Sequence, residues 1–100
     1  MHARITQFEV VDGKKQELAD GYRKSMTLLR TQKGFLEAIL MMDPMSGSVV
    51  SVTLWDSKED IEATEAPGGF LDKALPLVSP YQKTKPKFLH YQVKVHETRG

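Results

Sequence analysis

The sequence predicts an α+β domain of the ferredoxin-like, split β-α-β type: a four-stranded antiparallel sheet with its helices on one face. Three observations carry this. Alternating runs rich in β-branched and aromatic residues occur at 3–11, 35–42, 48–55 and 87–96. One long amphipathic stripe separates the first two runs, and the third and fourth are separated by two short helical segments split at Pro67-Gly68-Gly69. The order is therefore β-α-β-β-α-β over residues 1–100, read as a single domain without repeat, linker or low-complexity tract.

Taken in order, Ala3–Val11 alternates as a strand should, and Asp12-Gly13 ends it, with Asp12 placed to cap the first helix. Between Gly13 and Gln32 the apolar residues Leu18, Tyr22, Met26 and Leu29 recur at helical spacing, and Gly34 stops the helix. Phe35–Met42 and Ser48–Trp55 form a hairpin around the turn Asp43-Pro44-Met45-Ser46-Gly47. Along the second of these strands Val50, Val52 and Leu54 share one face, and Val49, Ser51, Thr53 and Trp55 the other. Ser57 is a helix N-cap with Asp60 three residues on, and Ile61 is the main apolar contact of that helix. The next helix turns Phe70, Leu71, Ala74 and Leu75 inward and is expected to end at Pro76 and Pro80. A loop to Pro86 leads into the last strand, Lys87–His96.

Composition narrows the chemistry. Of 100 residues, 40% are hydrophobic. A chain of this length buries only roughly 60–65% of its unfolded surface, so a partner that covers more surface would help it. Cys is absent, which excludes disulfides, thiolate metal sites and a cysteine nucleophile. Asn is absent too. Fourteen Lys and Arg against thirteen Asp and Glu give a net charge of +1, too little to draw in nucleic acid or an anionic membrane. The longest apolar run, Ala38–Met42, is far short of the roughly 20 residues of a membrane span, and the first residues lack a secretory pattern. A soluble, cytoplasmic protein is expected. The charges between Asp56 and Glu65 read as a solvated acidic helix face, and Lys83, Lys85 and Lys87 as protection of a sheet edge.

Motifs for other functions fail individually. Gly68-Gly69 is the only glycine pair, and no phosphate-binding loop surrounds it. His90 and His96 stand about 20 Å apart at strand rise, so no metal site is predicted. Lys33-Gly34-Phe35 echoes the start of an RNA-binding motif. It lies on the second strand instead of the third, however, and Glu37 occupies a position that needs an aromatic. With the helices on one sheet face, the other is left bare; Ile5, Gln7, Val49, Ser51, Thr53, His90 and Gln92 are assigned to it. That mixed, uncharged composition predicts a homodimer packed sheet to sheet through the open face.

A pocket remains as the candidate site. The broken second helical region cannot lie flush on the sheet. The gap beneath it is expected to be lined by Thr6, Phe8, Tyr22, Met26, Val52, Leu54, Phe70, Ala74 and Tyr91. Large apolar walls with a few hydroxyls suit a flat hydrophobic molecule, although the same residues would also serve as plain core. Trp55 either lines this pocket or packs the end of its strand against the next helix. Tyr22, Tyr91 and His90 are the candidates for a general base, and no cofactor is called for.

Gly34-Phe35 opening the second strand, the Asp43-Pro44 turn, the run Val49–Trp55, and Asp56-Ser57-Lys58-Glu59 starting the acidic helix form a pattern. In these features, across residues 3–95, the chain resembles the antibiotic biosynthesis monooxygenase (ABM) family of the dimeric α/β-barrel superfamily. The resemblance implies a homodimer with sheets packed face to face and a pocket between sheet and helices in each subunit. It implies cofactor-independent oxygenation of phenols and quinols, or, in one branch, oxidative breakdown of haem. That branch uses an Asn, a Trp and a His at positions matching Thr6, Thr64 and Ala74 here. All three are replaced, so haem degradation by that route is not expected. The resemblance leaves two functions: a cofactor-free monooxygenase acting on a small aromatic, quinol or polyketide-like substrate, or a non-catalytic dimeric module that binds a small ligand or serves in stress.

Overall fold

In the computed structural model, which describes residues 1–100, the elements follow the predicted order. They are β1 (His2–Glu9), α1 (Lys15–Leu29), β2 (Phe35–Met42), β3 (Ser48–Trp55), α2 (Lys58–Glu65), α3 (Phe70–Val78) and β4 (Lys87–Gln92), with a short 3₁₀ turn at Ser79–Tyr81. The strands form one antiparallel sheet in the order β2-β3-β1-β4. β1 therefore lies inside the sheet, flanked by β3 and β4, and its helix-facing residues sit over the middle of the site.

Local chemistry explains the boundaries. Ser57 caps α2 by accepting from the Asp60 amide at 3.1 Å, and its hydroxyl donates to Asp60 Oδ2 at 2.9 Å. Asp12 does not cap α1: that helix starts after Lys14 without a side-chain cap. Gly34 has φ +80°, the left-handed conformation that turns α1 into β2. The helix expected to end at Pro76 runs on to Val78. Proline removes the bond to the carbonyl four residues back, but that carbonyl belongs to exposed Asp72, and the Ser79 amide resumes the pattern by bonding to Leu75.

Pairing settles which residues share a face, because residues directly opposite in antiparallel strands point the same way. Arg4 faces Thr53 and His90 across the two ladders, Thr6 faces Ser51 and Phe88, and Phe8 faces Val49. These residues, with Trp55, lie under the helices. Ile5 faces Val52 and Leu89 on the open side. The predicted bare face is thus corrected: Ile5 and Gln7 belong to it, whereas Val49, Ser51, Thr53, His90 and Gln92 are on the helix side. The open face is more apolar than predicted. It carries Ile5, Ile39, Met41, Val50, Val52, Leu89 and Tyr91, of which Ile39, Met41 and Tyr91 are exposed.

β4 stops at Gln92, four residues earlier than expected. Beyond it the chain reaches from one sheet edge toward the other, where His96 Nε2 lies 3.5 Å from Glu37 of β2. The core has two parts. Trp55, Leu29, Ile61, Phe70 and Ala74 cluster at one end, with the Phe35 ring edge-on to Trp55 at 5.6 Å between centroids. Val10, Leu18 and Val49 cluster at the other.

Candidate functional site

Between these two clusters the sheet and helices do not close completely. A cavity of about 70 Å³ remains, bounded by β1, β3 and β4 below and by α1 and α3 above. Its walls include Leu18, Met26, Leu29, Phe70, Ala74 and Val78; its floor carries Arg4, Thr6, Ser51 and Thr53. Leu75, Gln82 and Phe88 also border an outer groove between α3 and the start of β4, so these three stand where the cavity meets that groove.

Thr6, Phe8, Tyr22, Met26, Phe70 and Ala74 of the predicted set line this cavity. Val52, Leu54 and Tyr91 do not: they stand on the opposite face of the sheet, and Tyr91 is 55% exposed. A one-residue difference in strand parity moves a side chain to the other face. Trp55 takes the packing role: it is fully buried against Leu29, Ile61, Phe70 and Ala74, and its Nε1 donates to Thr53 Oγ1 at 2.9 Å. His90 lies on the helix side but outside the cavity lining, where its Nε2 donates to Glu65 Oε2 at 2.8 Å. The positions replacing the haem-branch residues are near the site. Thr6 and Ala74 line the cavity, and Thr64 binds Arg4 just outside it.

The hydroxyls of Tyr22 and Ser51 are 2.7 Å apart and bridge α1 to β3 across the cavity. Burial raises the Tyr22 pKa, with the Ser51 hydrogen bond and the Arg4 charge pulling the other way. Burial thus favours the protonated, hydrogen-bonding form of Tyr22. Ser25 turns its hydroxyl onto the Tyr22 carbonyl at 2.7 Å, which leaves the Tyr22–Ser51 pair undisturbed.

Arg4 escaped the sequence reading. It is 3% exposed, and its Nη1 donates to Thr64 Oγ1 at 2.6 Å and, more weakly, to Glu65 Oε2 at 3.5 Å. Its guanidinium carbon lies 5.7 Å from the centre of the Trp55 ring. Burial lowers its pKa, and Glu65 offsets part of that. Glu65 is thus no member of a solvated acidic face; it is half-buried and shared between Arg4 and His90. The signal was available: Arg4, Thr6 and Phe8 alternate along one strand, so placing the last two in the pocket places Arg4 there as well.

Solved structures share this architecture. A putative antibiotic biosynthesis monooxygenase from Bordetella bronchiseptica superposes with a TM-score of 0.81 at 14% identity, covering 94% of this chain and 97% of that one. SnoaB, a cofactor-independent oxygenase from Streptomyces nogalater, gives 0.78 at 16% identity, over 95% and 94%. Rv0793 from Mycobacterium tuberculosis gives 0.75 at 13%, over 97% and 98%. At these identities the likeness is one of fold. No curated protein matches the chain. The sequence pattern described as antibiotic biosynthesis monooxygenase matches residues 1–72, from β1 into α3, and with the fold it shows that the chain belongs to the antibiotic biosynthesis monooxygenase family.

Proposed function

We propose that the protein is a cofactor-independent monooxygenase that oxidises a small aromatic, quinol or polyketide-like substrate in the cavity between sheet and helices. The cavity itself carries this reading: apolar walls over a floor of hydroxyls suit a flat ring system bearing oxygen substituents. In such a reaction the electrons come from the substrate. A methylene flanked by aromatic rings loses both hydrogens, one oxygen atom of O₂ becomes the new carbonyl, and the other leaves as water. The residues here would orient the ring, exclude water and hold the substrate oxygens through the Tyr22–Ser51 pair. Small-molecule pockets are commonly about 300–1,000 Å³, so a substrate of this size would extend beyond the roughly 70 Å³ of free space, past Leu75, Gln82 and Phe88.

The reading includes a homodimer formed through the open face, which supports it with Ile39, Met41 and their apolar neighbours. It also includes a cytoplasmic location; no helix is long and apolar enough to cross a membrane. The test is oxygen uptake by metal-free protein supplied with quinols and anthrones. Steady uptake is expected, and Phe70→Ala, which removes a cavity wall, is expected to lower kcat/KM. No uptake across a broad panel overturns the proposal. One observation favours the second reading, a non-catalytic binding module: no carboxylate or imidazole lines the cavity to act as a base. A ligand that binds tightly and is recovered unchanged would establish it.

A further inference from the structure

Among the seventeen residues that line the cavity, Arg4 is the only charged one. Both of its hydrogen bonds leave from Nη1, and Nε and Nη2 have no protein acceptor. The sole carboxylate near it, Glu65, compensates it poorly. The same oxygen that is 3.5 Å from Arg4 Nη1 is 2.8 Å from His90 Nε2, so the acid is divided between two donors and lies closer to the other. A guanidinium stays protonated in proteins, and a buried charge without a close counter-ion is expensive. The imbalance recurs in the titration of Arg4, where burial outweighs what Glu65 returns. The other groups facing it do not supply the missing anion. Tyr22 on α1 is neutral, and the cavity-lining residues of α3 (Phe70, Leu71, Ala74, Leu75, Val78) have no titratable group.

We propose that Arg4 is the anchor for an anionic oxygen of the ligand, so that the cavity selects aromatic compounds bound as phenolates over neutral rings of the same shape. This rests on the proposed function for the identity of the site and adds the chemical class that it takes. It also supplies what the cavity lacks. With no internal base, deprotonation of the substrate is favoured by a fixed positive charge that lowers the pKa of the bound phenol. An opposite charge within about 4–6 Å typically lowers a pKa by roughly 1–3 units. Arg4 then acts as a binding residue whose charge poises the substrate for oxygen, while Thr64 and the Trp55 ring hold the guanidinium in place.

The experiment uses 4-nitrophenol, whose anion absorbs separately from its neutral form, and 4-nitroanisole, its uncharged counterpart. Both are titrated with the wild-type protein. The anion is expected to bind about tenfold or more tightly than the ether, and the apparent pKa of bound nitrophenol to fall by about one unit. Arg4→Met is expected to abolish the preference and Arg4→Lys to retain part of it. Equal affinity for the two compounds, an unchanged or raised pKa of the bound phenol, or no binding of either by the wild-type protein overturns the inference, whatever the stability of the variants. The outcome is separate from that of the oxygen assay. A phenolate preference without oxygen uptake keeps the anion site and removes the oxygenase reading; uptake without the preference does the reverse.

Discussion

Gly21 of α1 lies directly against the backbone carbonyl of Leu77 in α3, so closely that a methyl group on Gly21 would overlap the carbonyl oxygen. This contact sets the spacing of the two helices that roof the cavity. Its φ is not in the left-handed region, so the requirement is one of space. Gly21→Ala would ordinarily favour a helix. Here overpacking is expected to reverse the sign and destabilise the fold by about 1–3 kcal/mol. The measurement is thermal unfolding followed by the fluorescence of Trp55, the only tryptophan and fully buried. An unchanged or raised Tm would show that α3 yields at no cost.

Tyr22→Phe removes one partner of a hydroxyl pair whose other member, Ser51, is 7% exposed. The loss is expected to be about 1–3 kcal/mol, the penalty for leaving a buried polar group unpaired. Denaturant unfolding reports it. The same residue gives a pH dependence. Its folded pKa is raised above the unfolded value of about 10. Below that value both states keep the phenolic proton and the contribution is fully present. As pH rises from there through the folded pKa, the unfolded chain gives up its proton first and stability is lost. Tyr22→Phe should show a shallower fall in stability at alkaline pH than the wild type.

Val52 stands in the middle of the open face, opposite Ile5 on one side and Ile39 on the other. Val52→Arg places a charge inside the proposed dimer contact. It is expected to raise the dissociation constant by about 30-fold or more, the scale of an interface hot spot. Sedimentation velocity reads this directly. Thr27→Arg, on the exposed side of α1, serves as the control and should leave the association state unchanged.

Ser57→Ala deletes the cap of α2 and leaves Asp60 without its hydroxyl donor. A loss of about 1 kcal/mol is expected. Ser57→Thr should recover most of it, since the hydroxyl is the active part. Equilibrium unfolding of the three proteins side by side gives the comparison.

The element order was legible because each segment has a period of its own and a Gly, a Pro or, between β3 and α2, the cap Ser57 marks the breaks. Ser57, Gly34 and the turn after Met42 were readable for the same local reason. The faces of β3 and β4 were harder. Val50, Val52 and Leu54 look like core, yet they point away from the helices because the open face is itself apolar. Only pairing with β1 resolves this, and pairing joins residues about fifty positions apart. Arg4 was hidden by the expectation that a cation sits in water. Its burial depends on Thr64 and Glu65, which reach it from α2, some sixty residues along the chain.

Leu75, Gln82 and Phe88 border both the cavity and the outer groove, so the two concavities meet at these side chains. The cavity is partly open to solvent and has about 70 Å³ free. A ring system larger than that space would extend past Phe88 toward the groove, so discrimination between substrates would fall on what this rim tolerates as much as on the interior.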